Sequence, residues 1–308
     1  MNLLHISNYD IDHTKINDQY HIRSYKENEA TLEDYKWADV IVGKVDPNLL
    51  KQAPQVKYIQ LETAGNDTIL PALQDHMILC NASGRFGVAI SEYVIGNLLM
   101  LYRHFHTYYE FKKQHRWDKM IDIETISGKK VLIIGTGDLG SNLAKRFQAM
   151  NASVTGISLS GAAKTYFDQV FTNDELVKQL PLHDVIVLTL PKTKESDYYF
   201  KKAYYDLLKK DAVLINVGRG SLLALNDLVD AIKANQLKGA ILDVYEQEPL
   251  DDHHPLWDLE NVIMTPHISG TFHSKDAYER YLSILYRNLE AYLNHEPLQN
   301  VVDRQKEY

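Results

Sequence analysis

Residues 131–140 constrain this chain more than any other stretch: Val131-Leu132-Ile133-Ile134-Gly135-Thr136-Gly137-Asp138-Leu139-Gly140. Four apolar residues rich in branched side chains read as a buried parallel strand. Gly135, Gly137 and Gly140 follow at G-x-G-x-x-G spacing, and Leu139, Leu143, Ala144 and Phe147 then recur at helical spacing. The glycines therefore sit on a strand-to-helix turn. Gly135 suits the tight turn, Gly137 the close approach of a diphosphate, and Gly140 the packing of helix on strand. The helix N-terminus offers free N–H groups to the diphosphate. A dinucleotide is the expected ligand, and Thr136, Asp138 and Leu139 complete the turn that would hold it.

The flanking sequence repeats one theme. Leu3–Ile6, Val40–Val42, Val56–Leu61 and Met77–Cys80 are short strand-like runs, separated by helix-compatible segments such as Thr31–Ala38 and Pro47–Gln52. After the glycine turn come Val154–Ile157, Val185–Leu190, Val213–Val217, Ala240–Val244 and Val262–Thr265, with Ser221–Asn235 the clearest intervening helix. This alternation predicts an α/β protein with two parallel sheets, each covered by helices. Ser91–Trp117 reads as one or two helices crossing between the units. Tyr278–Asn294 reads as a final helix returning to the first. The expected division is residues 1–98 with 274–308 for a substrate domain, and an inserted dinucleotide-binding domain at 99–273.

A chain of 308 residues has room for two such domains. The net charge of −8 argues against a nucleic-acid partner. The single cysteine, Cys80, excludes an intrachain disulfide framework and suits a reducing compartment. The first ten residues lack a basic-then-apolar leader, and no run reaches the ~20 apolar residues of a membrane helix. A cytoplasmic protein without a membrane partner is expected.

Three downstream motifs carry the chemistry. They are Asn216-Val217-Gly218-Arg219-Gly220, Leu242-Asp243-Val244-Tyr245-Glu246-Gln247-Glu248-Pro249 and Thr265-Pro266-His267-Ile268-Ser269-Gly270. With the glycine turn, Thr63-Ala64-Gly65-Asn66-Asp67 and Ser91-Glu92, they make the chain resemble the D-isomer specific 2-hydroxyacid dehydrogenases over nearly its whole length. The resemblance implies that Arg219 clamps the carboxylate and carbonyl of a 2-oxo acid. It implies His267 as acid/base, Glu248 as its carboxylate partner, and Ala64 and Gly65 as backbone donors to the substrate carboxylate. Asp243 would face the nicotinamide, with Leu190, Pro191, Val217 and Gly218 also beside the coenzyme. The chemistry is coherent. Hydride transfer to a ketone leaves negative charge on oxygen, so a cation and a proton donor belong beside it. A guanidinium grips two oxygens at once. An imidazole titrates near neutrality, and a nearby carboxylate favours its charged form.

The chain departs from the NAD-specific pattern at one place. The acidic residue expected about 20 positions after the turn is absent: Ser158 stands there, followed by Ser160 and Lys164, and no Asp or Glu occurs from Ala152 to Phe167. Hydroxyls and a cation suit a 2′-phosphate, so NADP is expected in preference to NAD. The distance from the final helix to Tyr308 leaves no room for the regulatory domain of many phosphoglycerate dehydrogenases. Reduction of glyoxylate, hydroxypyruvate or a similar 2-oxo acid is therefore favoured over a short phosphoglycerate dehydrogenase or a non-catalytic dinucleotide sensor. No metal is expected; Asp251-Asp252-His253-His254 reads as a solvated loop. The aromatic residues of Ser91–Trp117 exceed what one helix face buries, and the resemblance implies a homodimer there.

Overall fold

The computed structural model of the protein describes residues 1–120, 122–270 and 274–308. It separates into two compact units, one comprising Met1–Phe86 and Phe272–Tyr308 and the other Gly87–Thr271.

The first unit is built on strands β1 (Asn2–Ile6), β2 (His21–Tyr25), β3 (Val40–Gly43), β4 (Tyr58–Leu61) and β5 (Ile78–Cys80). They form a wholly parallel sheet in the order β2-β1-β3-β4-β5. Side chains alternate across it, as a pleated strand requires. Leu4, Ile6, Ile41 and Ile59 enter one core with Tyr35 and Leu50. Leu3, Val40, Val42 and Tyr58 enter the other, where they meet Tyr281, Leu285 and Leu289 of the final helix, Lys275–Leu293. The chain thus leaves this unit, builds the second, and returns to cover a face of its first sheet. The helix Leu32–Trp37 starts where the sequence suggests: Thr31 and Asp34 form a reciprocal capping box.

The second unit carries β6 (Lys130–Ile134), β7 (Ser153–Ile157), β8 (Gln169–Phe171), β9 (Val185–Leu188), β10 (Val213–Asn216), β11 (Gly239–Leu242) and β12 (Val262–Met264). All pair in parallel, in the order β12-β11-β10-β9-β6-β7-β8. The order reverses at β6, and such a switch point opens a crevice at the carboxyl ends of the strands. One core takes Leu132, Ile134, Ile186, Leu188 and Leu214; the other takes Val131, Ile133, Val185 and Val187.

Several boundaries differ from the sequence expectation. A domain break at 98/99 would cut the helix Gly87–Tyr102, whose Val94, Leu98 and Leu101 pack into the second unit's core; the division falls before Gly87. Two helices, Gly87–Tyr102 and Phe105–Lys113, occupy most of Ser91–Trp117, the first starting before Ser91 and the two broken at His104, which adopts φ 54°. Strands β2 and β8 were not expected. Each closes an edge of its sheet, and the side chains of β2 are largely exposed, so neither shows an apolar run. Among the described residues no helix is long and apolar enough to cross a membrane.

Candidate active site

The aligned registers of the second sheet place Ile134, Leu188, Asn216, Leu242 and Met264 side by side at its carboxyl edge. The turns leaving these strands carry Gly135–Gly140, Leu190–Pro191, Val217–Arg219, Asp243–Glu248 and Thr265–His267. One edge thereby collects the catalytic and coenzyme residues named for this unit.

The glycine turn is shaped from within. Gly135 lies at φ 107°, a conformation L side chains rarely adopt. A Cβ on Gly140 would stand 2.0 Å from the Gly135 carbonyl oxygen, so the helix Asp138–Ala149 can approach its strand only with glycine there. Gly137 differs: it is exposed, at φ −69°, and nothing lies within 4 Å of where its Cβ would be. The protein's own packing does not require glycine at this position, but a diphosphate seated on the helix N-terminus would fill that space. The turn fits a dinucleotide.

His267 and Glu248 meet directly. His267 Nδ1 lies 2.8 Å from Glu248 Oε2, and the other carboxylate oxygen, Oε1, accepts the Tyr245 amide at 3.0 Å. A carboxylate only accepts, so Nδ1 carries the proton and Nε2 is left for other chemistry. The Arg219 turn is tied by Asn216, whose side chain accepts from the Gly218 amide and donates to the Arg219 carbonyl. Gly220 sets that turn against the next one, since its Cβ would lie 1.8 Å from the Tyr245 carbonyl oxygen. Gly218 also packs on the Leu190 backbone, less tightly, with its Cβ position 2.6 Å from the carbonyl oxygen. Pro191 accepts the Ser196 hydroxyl at 2.7 Å, and Val217 is buried.

Asp243 is fully buried and commits its carboxylate to the histidine turn. Oδ1 accepts from the Thr265 hydroxyl at 2.6 Å and the Ile268 amide at 2.8 Å, and Oδ2 accepts from the Ser269 amide at 2.9 Å. Tyr93, on the helix Gly87–Tyr102, reaches the same Thr265 hydroxyl at 2.6 Å. Sequence reasoning missed Tyr93, which reads there as one more aromatic of a helix. It also missed Glu246, whose carboxylate accepts the Leu225 amide at 2.7 Å and the Tyr198 hydroxyl at 3.0 Å, capping the helix Leu225–Lys233.

At the end of β7, Ser158 accepts the Gly161 amide and Ser160 the Ala162 amide, at 3.2 and 3.3 Å, in a turn followed by exposed Lys164. The first acid beyond them, Asp168, points elsewhere: its carboxylate accepts from the Val154 amide at the start of the strand. In the first unit, the Ala64 carbonyl accepts from Asn81 and the Gly65 carbonyl from Thr63, at 3.0 and 2.8 Å. Gly65 also lines a cavity of about 260 Å³ with Tyr9, Lys44 and Glu62. Glu62 is buried there, which raises its carboxyl above the usual range, while the Ser7 hydroxyl donates to it at 2.8 Å. The Asp251–His254 stretch serves a turn: Asp251 accepts the His253 amide and His254 the Leu256 amide.

Residues 95–269 match the family model described as D-isomer specific 2-hydroxyacid dehydrogenase, NAD binding domain. The chain is 30% identical over 288 residues to glyoxylate/hydroxypyruvate reductase A of Salmonella typhimurium, covering 91% of each chain. It is similar to the crystal structure of a D-isomer specific 2-hydroxyacid dehydrogenase family protein from Aeromonas salmonicida, at a TM-score of 0.88 and 31% identity over 98% of this chain and 99% of that one. It is also similar to NADPH-dependent glyoxylate/hydroxypyruvate reductase of Sinorhizobium meliloti in complex with NADP and sulfate, at a TM-score of 0.82 and 25% identity over 100% and 99% of the two chains.

Proposed function

The chain belongs to the D-isomer specific 2-hydroxyacid dehydrogenase family, and from that premise we propose that it reduces a small 2-oxo acid, of the glyoxylate or hydroxypyruvate kind, with NADPH. The observation that carries the proposal is the His267–Glu248 pair at 2.8 Å, formed between the two turns that follow the Arg219 turn along the same sheet edge. A bound nicotinamide coenzyme supplies the hydride. Arg219 holds the substrate carboxylate and the carbonyl oxygen, drawing charge toward that oxygen as it develops. His267 delivers a proton from Nε2 to the same oxygen, and Glu248 steadies the ring through Nδ1. In the first unit, Ala64 and Gly65, whose carbonyls are tied to Asn81 and Thr63, are the residues whose amides the resemblance gives to a carboxylate.

The choice of NADPH rests on Ser158, Ser160 and Lys164 where an acid would repel a 2′-phosphate, and on the coenzyme named for the Sinorhizobium relative. The working form is a homodimer through the region of helix Phe105–Lys113. Phe105 and Tyr109 of that helix and Trp117 beyond it are 56%, 58% and 94% exposed, apolar surface that a second copy would cover. Light scattering at micromolar concentration checks the assembly, and a monomer mass refutes it. The activity test is a panel of glyoxylate, hydroxypyruvate and pyruvate with NADPH and NADH. Turnover of at least one acid, faster with NADPH, is expected; tight NADPH binding without turnover would favour a sensor.

A further inference from the structure

His267 sits at φ 54°. Non-glycine residues occupy that left-handed region only where the surroundings hold them. The Asp243 carbonyl accepts the His267 amide at 2.9 Å, and its carboxylate takes the next two amides. The loop therefore depends on how firmly Asp243 itself is held. Its carboxylate can only accept, so Thr265 directs its one hydroxyl proton to Asp243. The Tyr93 hydroxyl, 2.6 Å from that same oxygen, must then be the donor to Thr265. A directed chain results, from Tyr93 to Thr265 to Asp243 to the backbone around His267. Hydrogen bonds in series polarise and strengthen one another away from water. Burial pushes the Tyr93 hydroxyl up to about 12, so it stays a donor throughout the neutral range. Tyr245 braces the same turn separately, its one hydroxyl proton shared between the Leu242 and Thr265 carbonyls at 3.1 and 3.0 Å. Among the described residues, the titratable side chains hydrogen-bonded to this loop or its supports are Glu248, Asp243, Tyr93 and Tyr245.

We infer that Tyr93 is a positioning residue for His267, fixing the proton donor's strained loop through Thr265 and Asp243 from a helix about 170 residues earlier in the chain. This rests on the reading of His267 as the proton donor.

Tyr93→Phe removes only the hydroxyl. Misplacing a catalytic group by a fraction of an ångström lowers turnover by about tenfold, so kcat should fall by that order while KM and NADPH affinity hold. Thr265→Val should match this loss, and Thr265→Ser, which keeps the hydroxyl, should recover most of it. In a His267→Asn background, Tyr93→Phe should cause no further fall, because its effect passes through the histidine. Residue-resolved amide exchange should quicken at Ile268 and Ser269 and stay unchanged in β6 and β9. Unaltered exchange at the two loop amides, or an equal fall in kcat with and without His267, overturns the inference. If the unmodified protein reduces no oxo acid, the functional reading fails by itself. The exchange measurement then still decides whether Tyr93 holds the loop.

Discussion

Replacing Gly137 with alanine separates what the glycine turn does for a ligand from what it does for the fold. Gly137 already has a backbone that alanine adopts, is exposed, and has no protein atom within 4 Å of its Cβ position. Thermal and urea unfolding should therefore shift by no more than about 0.5 kcal/mol, the usual range for an unencumbered surface site. Coenzyme binding should respond quite differently. The new methyl group occupies the space through which a diphosphate reaches the first amides of the helix Asp138–Ala149. A hydrogen bond to a charged group contributes about 1.5–3 kcal/mol, so losing one weakens NADPH binding roughly ten- to a hundredfold. Gly140→Ala is the contrasting variant. Its Cβ would stand 2.0 Å from a backbone oxygen that cannot move aside, and overpacking of that kind destabilises by about 1–3 kcal/mol or more. Titration of NADPH fluorescence beside an unfolding curve reads both effects. A folded Gly137→Ala protein that binds NADPH as tightly as the unmodified one would refute the placement of the diphosphate.

Three further outcomes are expected. Ser158→Asp should reverse the coenzyme order in kcat/KM, since a carboxylate repels a 2′-phosphate and accepts from ribose hydroxyls; an unmodified protein that prefers NADH would remove the basis of the argument. His267→Asn should lower kcat by ~10²–10⁴-fold with NADPH affinity retained, as loss of general acid catalysis predicts; unchanged turnover would exclude the histidine. His5 concerns stability: burial, reinforced by His13 and opposed by Asp10, lowers its imidazole from 6.5 to about 4. The unfolded chain takes up that proton first, so this contribution is present above pH 6.5 and is lost as pH falls toward 4. Between pH 7 and 4.5 it amounts to about 2 kcal/mol. Urea unfolding at the two pH values should show the difference in the natural protein and not in His5→Gln; identical pH dependence in both would show that His5 is not responsible.

The central strands, the glycine turn and the three downstream motifs were legible because each is local. A strand buried on both faces needs a continuous apolar run, as in Val131–Ile134 and Val185–Leu188, and the turns that follow carry their chemistry in adjacent residues. The return of the last helix to the first sheet was legible too, from its position after the last strand. Local patterning fails where burial is partial or where the partner is distant. Strand β2 lies at an edge with its side chains largely in water, so no periodicity marks it. The first domain boundary depends on which core receives Val94, Leu98 and Leu101, and only packing decides that. Glu246 and Glu248 stand two residues apart with the same chemistry. One caps a helix and the other meets His267, because each follows the group brought to it by a different strand or helix. Tyr93 is the extreme case: nothing around it in the chain distinguishes it from its aromatic neighbours. Its hydroxyl gains a role only when packing sets it 2.6 Å from Thr265, because a hydrogen bond depends on distance in space and hydrophobic periodicity records only distance along the chain.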